Sequence, residues 1–273
     1  MDFFKKIKTK YLAILVMIVS FSFVFFIPVS DEVNPTIDSI LGMTGLLFGI
    51  LVGFFITDLW SRFQRIRENV AVEVSGLQTY YLFVKILDSF PAHKEWVNKQ
   101  QELIDKYVCE FFEVEWDNYG KIDPYFNAII KSLADVKELE TIKEDETYAN
   151  LLPLLNGITT AREKLFMDGK DRLSKMEWLV VLALAATLVF CVFLVRVPML
   201  SSLLLSGTLI SAVVMLLLIL RDLDNLNFGE ESVSFEPYET IFDVIGKPRF
   251  YLKRDIESGR AVPPKDIEYR IGE

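Results

Sequence analysis

The uncharged stretch at residues 39–57, SILGMTGLLFGILVGFFIT, decides how the rest of the chain is interpreted. A helix of 19 residues is long enough to cross a hydrocarbon core about 30 Å thick. Asp58 and Arg62 follow it, and apolar residues then recur at three- and four-residue steps as far as Val84. This periodicity predicts one helix that leaves the membrane, continues through water and ends near residues 89–91.

The composition of the whole chain also indicates a membrane protein. Of its 273 residues, 52% are hydrophobic and 25% are charged, so the two kinds must be segregated in blocks. The net charge of −9 excludes a nucleic-acid-binding surface rich in Lys and Arg. Cys109 and Cys191 lie too far apart to suggest a disulfide framework or a thiolate metal site, and both are expected to be packing residues. The single histidine, His93, is expected to be an exposed residue at a helix start.

Four stretches are apolar and long enough to be membrane spans. They are Tyr11–Ser30, Ser39–Thr57, Trp178–Val195 and Val197–Leu220. A cleaved signal peptide is the alternative for the first, since four lysines precede it. Arg196 alone separates the last two, which predicts a tight hairpin of antiparallel helices.

The basic residues beside the spans predict the orientation. They cluster before the first span, after the second, before the third and after the fourth, whereas the first connecting loop carries Asp31, Glu32 and Asp38 and no Lys or Arg. We therefore expect a multi-pass protein of the plasma or inner membrane, with both termini and the long central segment in the cytoplasm.

The predicted fold is an all-α membrane protein with four transmembrane helices and a helical cytoplasmic domain. The predicted segments are 1–60 for the first two spans, 61–175 for the cytoplasmic domain, 176–220 for the last two spans and 221–273 for a cytoplasmic tail. Within the domain, the pattern around Trp96 to Val114 predicts an amphipathic helix, Asp123 and Pro124 predict a helix start, and Tyr148–Lys175 predicts a helix interrupted near Pro153. No stretch alternates like a strand for long.

Two stripes with four-residue spacing run along the second span. The first stripe consists of small residues, namely Gly45, Gly49 and Gly53. Small residues let another helix approach closely in the bilayer. The other is bulky and apolar, displaced by one residue; it consists of Leu46, Ile50 and Phe54. The residues alone leave two interpretations open, namely packing of four spans in a monomer and packing around the axis of a symmetric ring.

Several strings in the chain resemble those of a known family. GFFITDLWSRF at 53–63 is similar to the pore-helix segment of bestrophins, pentameric ion channels best known for passing anions, and LNFGEE at 226–231 is similar to the segment after their last membrane helix. LIDKY at 103–107 leading to EW at 115–116, AR at 161–162, and LD at 223–224 leading to VSFEP at 233–237 resemble the poorly characterised prokaryotic and plant bestrophin-like membrane proteins. These strings cover about Ile40 to Tyr238 in the expected order.

This resemblance implies a homopentameric ion channel, conducting chloride or other anions, with a helical cytoplasmic vestibule. Its partners are further copies of itself, membrane lipid and permeant inorganic ions. Leu46, Ile50 and Phe54 match the apolar neck of the bestrophin pore. A neck of this kind can close to ions by dewetting, without a steric plug.

Charged residues near the second span leave the selectivity open. Asp58 and Arg62 lie one helical turn apart at the inner pore mouth, where they either pair with each other or form charged rings. Asp38 is either a helix cap or part of an acidic outer vestibule that would concentrate cations. A cation channel of the same fold is therefore an alternative.

Calcium is the one cofactor that the resemblance raises. Calcium-activated bestrophins bind the ion with a run of acids after a Phe-Gly pair, and the positions here are Glu230, Glu231 and Ser234. Calcium prefers six to eight oxygen ligands. Because a hydroxyl stands where a carboxylate would be expected, the match is weak, and no other cofactor is expected.

Two further function classes remain. One is a non-conducting protein, anchored by its spans, that presents the acidic cytoplasmic domain to a partner. The other is an enzyme, for which the carboxylates of Glu113, Glu115 and Asp117 near Trp116 are candidates. These acids alternate with bulky apolar residues and have no histidine, cysteine or glycine-rich partner, so we expect a solvated face and no enzyme.

Overall fold

The computed structural model describes residues 35–114, 116–195, 197, 199–228, 231–232, 236–257 and 268–272, with single positions at 15, 18, 19, 22, 261 and 263. Most of the first predicted span, Tyr11–Ser30, lies outside the described residues, as do Asp31, Glu32 and Arg196. The four-span count therefore stays a prediction.

The described part of the chain is mostly helical, as predicted. Its α-helices are α1 (Pro35–Leu87), α2 (Lys94–Glu113), α3 (Asp123–Lys131), α4 (Ile142–Ala149), α5 (Leu151–Lys170), α6 (Lys175–Val195), α7 (Leu200–Asp224), α8 (Glu236–Ile245) and α9 (Lys253–Glu257). Its strands are β1 (Asn227–Phe228), β2 (Glu231–Ser232), β3 (Arg249–Leu252) and β4 (Tyr269–Gly272). Short 3₁₀ helices span Pro91–His93, Trp116–Ile122 and Ser132–Asp135.

The strands correct the expectation of a purely helical chain. β1 and β2 pair antiparallel, and β3 and β4 pair parallel with Phe250 opposite Arg270. Each strand has two or four residues. Strands this short show too few side chains to establish an alternating pattern in the sequence.

The chain divides into two compact units. The first comprises residues 1–63 and 172–233, and the second comprises residues 64–171 and 234–273. Helix α1 contributes to both. The predicted four-part division is defined relative to a membrane and stays a prediction.

Three helices carry the apolar segments of the first unit. Among the described residues, α1, α6 and α7 are long and apolar enough to cross a membrane. Their facing sides form one buried cluster, which contains Phe48, Val52 and Leu59 of α1, Val181, Ala185, Leu188 and Val192 of α6, and Ile210, Val213, Leu220 and Leu223 of α7. Because lipid is as apolar as these side chains, packing rather than the hydrophobic effect holds such helices together in a bilayer.

The continuation of α1 into the second unit is confirmed. Its apolar positions at three- and four-residue steps are all buried, and they are Phe63, Ile66, Val70, Val74, Leu77, Tyr81 and Val84. The helix ends at Leu87, close to the predicted end. One face of this segment is therefore covered by its own chain, as an amphipathic pattern requires.

One helix start in the second unit differs from the prediction. α2 is found where the pattern predicted it. The predicted interruption near Pro153 is also found: α4 ends at Ala149 and α5 begins at Leu151, with Pro153 in the first turn of α5, where the missing proline N–H has no intrahelical partner. The separate helix α4 precedes it. Asp123 is the first residue of α3 rather than its cap, which is Ile122.

His93 is buried, which corrects the expectation of an exposed residue. It stands directly before α2, but its side chain has no exposed surface, and its Nε2 lies 3.2 Å from Glu144 Oε1. Glu144 also belongs to a capping box, in which its Oε2 accepts from the Thr141 backbone N–H at 2.6 Å. Burial raises the pKa of Glu144, but hydrogen bonds from Thr141 and Glu140 and the charge of His93 lower the pKa overall. Neither ring nitrogen of His93 has a hydrogen-bond partner among the described residues, so the nearby Glu144 carboxylate offsets the cost of burial only in part.

The glycines of the second unit give a stability prediction. A Cβ on Gly76 would lie 2.6 Å from Ile158 Cγ1, whereas a Cβ on Gly157 would meet no atom within 4 Å. We expect Gly76→Ala to destabilise the protein by about 1–3 kcal/mol through overpacking, despite the better helix propensity of alanine. Gly157→Ala is the matched control and should be neutral or stabilising by up to about 1 kcal/mol.

Thermal unfolding of the detergent-solubilised protein, followed by tryptophan fluorescence, measures both variants. The double variant Gly76→Ala with Ile158→Ala should lose less stability than the two single variants lose in sum, since shortening Ile158 removes the clash. If Gly76→Ala and Gly157→Ala change the midpoint of thermal unfolding equally, α1 and α5 do not approach each other as closely as described.

Candidate functional site

The bulky stripe of α1 lies on an exposed face of the helix in the part of the chain that the structure describes. Leu46, Ile50 and Phe54 are 65%, 52% and 70% exposed. On the opposite side, Phe48 and Val52 are buried against α6 and α7. Consecutive members of the stripe are four residues apart, which is about 6 Å along the helix. The structure thus places the three predicted neck residues together, in one apolar row about 12 Å long.

The glycine stripe divides between two environments. A Cβ on Gly45 would lie 3.6 Å from Leu188 Cδ1 of α6, so Gly45 packs inside the chain. A Cβ on Gly49 or Gly53 would meet nothing within 4 Å. The packing of the described chain therefore accounts for one of the three glycines and leaves the face at the other two open.

Polar residues follow the apolar row toward the second unit. The Thr57 hydroxyl donates to the Gly53 carbonyl at 2.9 Å, and the Ser61 hydroxyl donates to the Thr57 carbonyl at 2.8 Å. Asp58 is exposed between them. Such back-bonding satisfies a hydroxyl within its own helix, so the end of the row is polar without requiring another partner.

Arg62 has surroundings different from those of Asp58. It is 1% exposed, and its Nη1 donates to the Asp224 carbonyl at 3.1 Å. The predicted pair of Asp58 and Arg62 thus consists of one exposed acid and one buried base. Neither the pairing nor the ring role has been tested, and both stay predictions.

Asp224 connects three segments of the first unit. Its Oδ1 accepts from the Leu173 backbone N–H at 2.9 Å, and its Oδ2 accepts from Trp178 Nε1 at 3.1 Å. Its carbonyl is the one that accepts from Arg62. Since Asp224 ends α7 and Trp178 lies in the first turn of α6, this residue fastens α1, α6 and α7 to one another.

A second buried network surrounds Glu73 in the second unit. Glu73 is fully buried, and its Oε2 accepts from Tyr119 at 2.7 Å and from Tyr238 at 2.6 Å. Its Oε1 accepts from the hydroxyl of Tyr107. Arg162 Nη1 lies 3.4 Å from the same oxygen and donates to Tyr107. Five segments therefore meet at one carboxylate, since these side chains come from α1, α2, α5, α8 and a 3₁₀ helix.

Arg162 balances the charge of this network. Its Nη2 donates to Asp123 Oδ1 at 2.6 Å. Its guanidinium carbon lies 4.5–5.2 Å from the ring centroids of Phe126, Tyr107 and Tyr119. Burial lowers the pKa of Arg162, but the neighbouring tyrosines, Glu73 and Asp123 raise its pKa overall. A buried ion pair needs hydrogen bonds of this kind to offset the loss of hydration.

The tyrosines of the network stay protonated. Burial raises the pKa of Tyr107, Tyr119 and Tyr238 well above the ordinary value, and the Glu73 carboxylate raises it further. Each phenol therefore remains a donor to Glu73 over the physiological range. The opposing charge of Arg162 lowers these pKa values by less.

The remaining predicted residues are placed as follows. Asp38 is exposed in the first turn of α1, which begins at Pro35, so it is not the helix cap. An acid there interacts favourably with the helix dipole.

Glu230 and Ser234 lie outside the described residues, and only the backbone of Glu231, in β2, is described. In the part of the chain that the structure describes, no group of three His, Cys, Asp or Glu side chains is placed to hold a metal.

The three candidate carboxylates for an enzyme are not brought together by any described contact. Glu113 is exposed at the end of α2, Glu115 lies outside the described residues, and Asp117 lies in the 3₁₀ helix Trp116–Ile122, where its side chain is not described. The expectation of no catalytic site there stays a prediction.

Comparison with known families decides where the chain belongs. The family model described as the Bestrophin-like domain matches residues 10–238. This chain belongs to the Bestrophin-like family. The resemblance inferred from the sequence strings is thus confirmed, and the family match begins 30 residues before Ile40 and ends at the same residue, Tyr238.

A solved structure has the same bestrophin fold. It is a crystal structure of a point mutant of a bacterial bestrophin homolog from Klebsiella pneumoniae, with a TM-score of 0.60 and 10% sequence identity. The match covers 88% of this chain and 98% of the Klebsiella chain. No sequence in the curated set matches this bestrophin-like chain.

Sequence reasoning did not assign a role to Glu73, Asp224 or Arg162. A signal for two of them was present, because Arg162 and Asp224 stand in the strings that resemble bestrophin-like proteins, as does Tyr107. These strings mark residues of the two buried networks as well as the pore helix. Glu73 lies in no such string, and its buried position follows only from the helical periodicity of α1.

The charge balance in the Glu73 network gives a second stability prediction. We expect Arg162→Gln to destabilise the protein by roughly 3–5 kcal/mol, because it leaves a fully buried carboxylate without its counter-charge. Arg65→Gln is the matched control, since Arg65 forms a half-exposed pair with Asp168 at 3.1 Å. The control should change stability by less than about 1 kcal/mol.

The measurement is the midpoint of thermal unfolding for both variants in the same detergent. A large decrease for Arg162→Gln alone supports the network. Equal, small decreases for both variants would mean that Glu73 does not depend on Arg162.

Proposed function

We propose that this protein is a homopentameric ion channel whose pore runs along α1. The observation that carries the proposal is the exposed apolar row of Leu46, Ile50 and Phe54 on a helix whose other side is packed against its own chain. Family membership supports it, because bestrophins line their neck with three apolar residues at these positions.

The open glycine face supports self-assembly. In a closed ring, each pore helix presents one face to the axis and adjacent faces to its neighbours. Gly49 and Gly53 lie next to the apolar row, displaced by one residue, and no atom of the described chain occupies the space beside them. A neighbouring subunit can approach such a surface closely.

The neck acts as an apolar gate in this proposal. A narrow ring of leucine, isoleucine and phenylalanine excludes ions by dewetting, and a small rotation of α1 changes its width. The hydroxyls of Thr57 and Ser61 are satisfied within α1, so the end of the neck is wetted without binding permeant ions tightly.

We propose anion conduction, chloride in particular, on the basis of the family. Cation conduction by the same fold is the second candidate, and a specific observation favours it. Asp38 and Asp58 are exposed, whereas Arg62 is buried and donates to the Asp224 carbonyl. A five-fold ring of exposed acids would concentrate cations at each end of the neck.

The proposed location is the plasma or inner membrane, with both termini and the second unit in the cytoplasm. The distribution of basic residues beside the spans supports this orientation. Lipid covers the outward faces of α6 and α7, where apolar side chains such as Leu179, Phe190 and Leu205 are exposed. No nucleic acid is involved, in keeping with the negative net charge.

Calcium fits the chain poorly as a gating ion. The candidate positions supply two carboxylates, from Glu230 and Glu231, and the hydroxyl of Ser234. Calcium ordinarily takes six to eight oxygens and favours carboxylates. No step of the proposed gating is therefore assigned to it.

The reversal potential of the purified protein in planar bilayers tests the proposal. Under a potassium chloride gradient we expect current that reverses near the chloride equilibrium potential, unchanged when calcium is added. Reversal near the potassium equilibrium potential would support the proposal of a channel but overturn anion selectivity in favour of cation selectivity. Silence of well-assembled protein would contradict the channel and favour a membrane-anchored interaction protein.

The neck assignment makes its own prediction. Ile50→Ala and Phe54→Ala should raise the ion flux per assembled channel several-fold, because a wider neck stays wet more often. Leu179→Ala is the matched control, since Leu179 is 60% exposed but lies on α6. The control should leave flux unchanged.

Liposome flux, normalised to the amount of assembled protein, is the readout for all three variants. If Ile50→Ala and Phe54→Ala assemble normally and conduct no better than Leu179→Ala, the apolar row is not the gate.

A further inference from the structure

Arg62 is a buried base just beyond the apolar part of α1. It is 1% exposed, and its Nη1 donates to the Asp224 carbonyl at 3.1 Å. Asp224 is the last residue of α7, and its carboxylate accepts from the Leu173 backbone N–H and from Trp178 Nε1. All four residues belong to the first unit. The contact therefore joins α1 to an end of α7 that is itself held at both carboxylate oxygens.

Apolar burial does not by itself determine which face of α1 is covered. Both sides of its apolar part carry bulky apolar side chains, because Phe48 and Val52 are buried against α6 and α7 whereas Ile50 and Phe54 are exposed. Lipid is as apolar as a protein core, so exchanging the two sides in a bilayer has little hydrophobic cost. The choice of face then depends on close packing and on polar contacts.

Three hydroxyls on the same part of α1 do not restrict its rotation. Ser39 donates to the Pro35 carbonyl at 3.0 Å, and the hydroxyls of Thr57 and Ser61 likewise donate to carbonyls four residues back. These bonds lie within α1 and turn with it. The bond from Arg62 leaves the helix and ends on α7, so it depends on how α1 is turned.

The angular position of Arg62 makes its contact sensitive to rotation in both directions. At about 100° per residue, Arg62 lies about 80° around the helix from Phe54 and about 60° from Leu59. Phe54 is exposed and Leu59 is buried, so Arg62 stands at the edge between the two faces. Turning α1 one way separates the guanidinium from the Asp224 carbonyl. Turning it the other way moves a charge into the apolar cluster, where an unpaired charge is costly.

We propose that Arg62 is a positioning residue that holds α1 in the rotational setting in which Leu46, Ile50 and Phe54 face the neighbouring copies. This inference rests on the proposed function. Arg62 contacts no permeant ion in this role and acts only through the residues that it orients. A small rotation of the kind proposed for the gate keeps the bond within reach, whereas presentation of another face breaks it.

Arg62→Met tests the role with a side chain of similar length that cannot donate a hydrogen bond. Arg62→Lys is the conservative variant, since an ammonium group still donates to a carbonyl. Arg221→Met is the matched control, because Arg221 lies near the same end of α7 and donates to the adjacent Asp222 at 2.7 and 3.1 Å. It removes a positive charge from the same unit and leaves the contact of Arg62 intact.

The first readout is the rate at which single cysteines react with N-ethylmaleimide, in a background without the native cysteines. Ile50→Cys and Val52→Cys place a thiol on the exposed and on the buried side of α1. We expect the ratio of the first rate to the second to fall about tenfold with Arg62→Met, as for the loss of one charged hydrogen bond. Arg62→Lys and Arg221→Met should leave the ratio unchanged.

An unchanged ratio in folded Arg62→Met protein would overturn the positioning role, whether or not the protein conducts. If Arg62→Met does not fold, Arg62→Gln replaces it, since its side chain is shorter and uncharged but still polar. The expected fall of the ratio is then about threefold. A ratio equal to that of Arg221→Met would again contradict the role.

The second readout is ion flux in liposomes, measured for Phe54→Ala in three backgrounds. The several-fold rise expected in the parent protein should nearly disappear with Arg62→Met, because Phe54 no longer faces the axis, and should persist with Arg221→Met. A full rise in the Arg62→Met background contradicts the positioning role. If the parent protein never conducts, the proposed function fails instead, and the ratio of cysteine reactivities alone decides on Arg62.

Discussion

The structure depends on α1 being one uninterrupted helix of 53 residues. In its apolar part no water is available to replace a broken backbone hydrogen bond, so even a segment with glycines at 42, 45, 49 and 53 remains helical. In its second part no such constraint exists, and the helix is held by a buried stripe of seven apolar residues from Phe63 to Val84. The same helix therefore contributes the exposed apolar row to the first unit and the Glu73 carboxylate to the second.

Buried charge is the second requirement that the chain has to meet. Arg62 and Glu73 are both on α1 and almost fully buried, and each has hydrogen-bonding partners distant in sequence. Arg62 reaches the end of α7, and Glu73 gathers three phenols and Arg162. Removing one partner from such a site is far more damaging than replacing an exposed pair. The two networks thus fix how α1 packs within each unit and leave its apolar row uncovered.

The features predicted from sequence were those set by local periodicity. The length of α1, the position of α2 and the apolar face from Phe63 to Val84 all follow from three- and four-residue spacing. The helix break near Pro153 was predicted because proline is incompatible with a helix interior; the break falls at Asn150, three residues earlier, because proline is tolerated in a first turn. The prediction that His93 is exposed was wrong, because nothing in the neighbouring sequence indicates that Glu144 lies opposite it in the fold.

The functional residues divide in the same way. The proposed neck residues and the glycines were selected because their spacing is local and because the surrounding string resembles bestrophins, and their role stays a prediction. The Glu73 network could not be derived, since Tyr107 and Tyr238 approach Glu73 from 34 and 165 residues away. Tyr107 stands in a string that resembles bestrophin-like proteins, but nothing in the sequence shows that it or Tyr238 meets Glu73. Only the fold identifies which phenols meet the carboxylate.

Cross-linking of single cysteines in the membrane tests most directly whether the apolar row faces a five-fold axis. The background removes both native cysteines by Cys109→Ala and Cys191→Ala, and Phe54→Cys is compared with Leu179→Cys on α6. With a short bifunctional thiol reagent, each subunit carries one thiol and can be linked to only one other, so the account predicts linked pairs for Phe54→Cys with at least one subunit in five left unlinked at complete reaction, and no linked pairs for Leu179→Cys. Linked pairs from Leu179→Cys with none from Phe54→Cys, or conversion of all Phe54→Cys subunits to pairs, would contradict a pentamer built around α1.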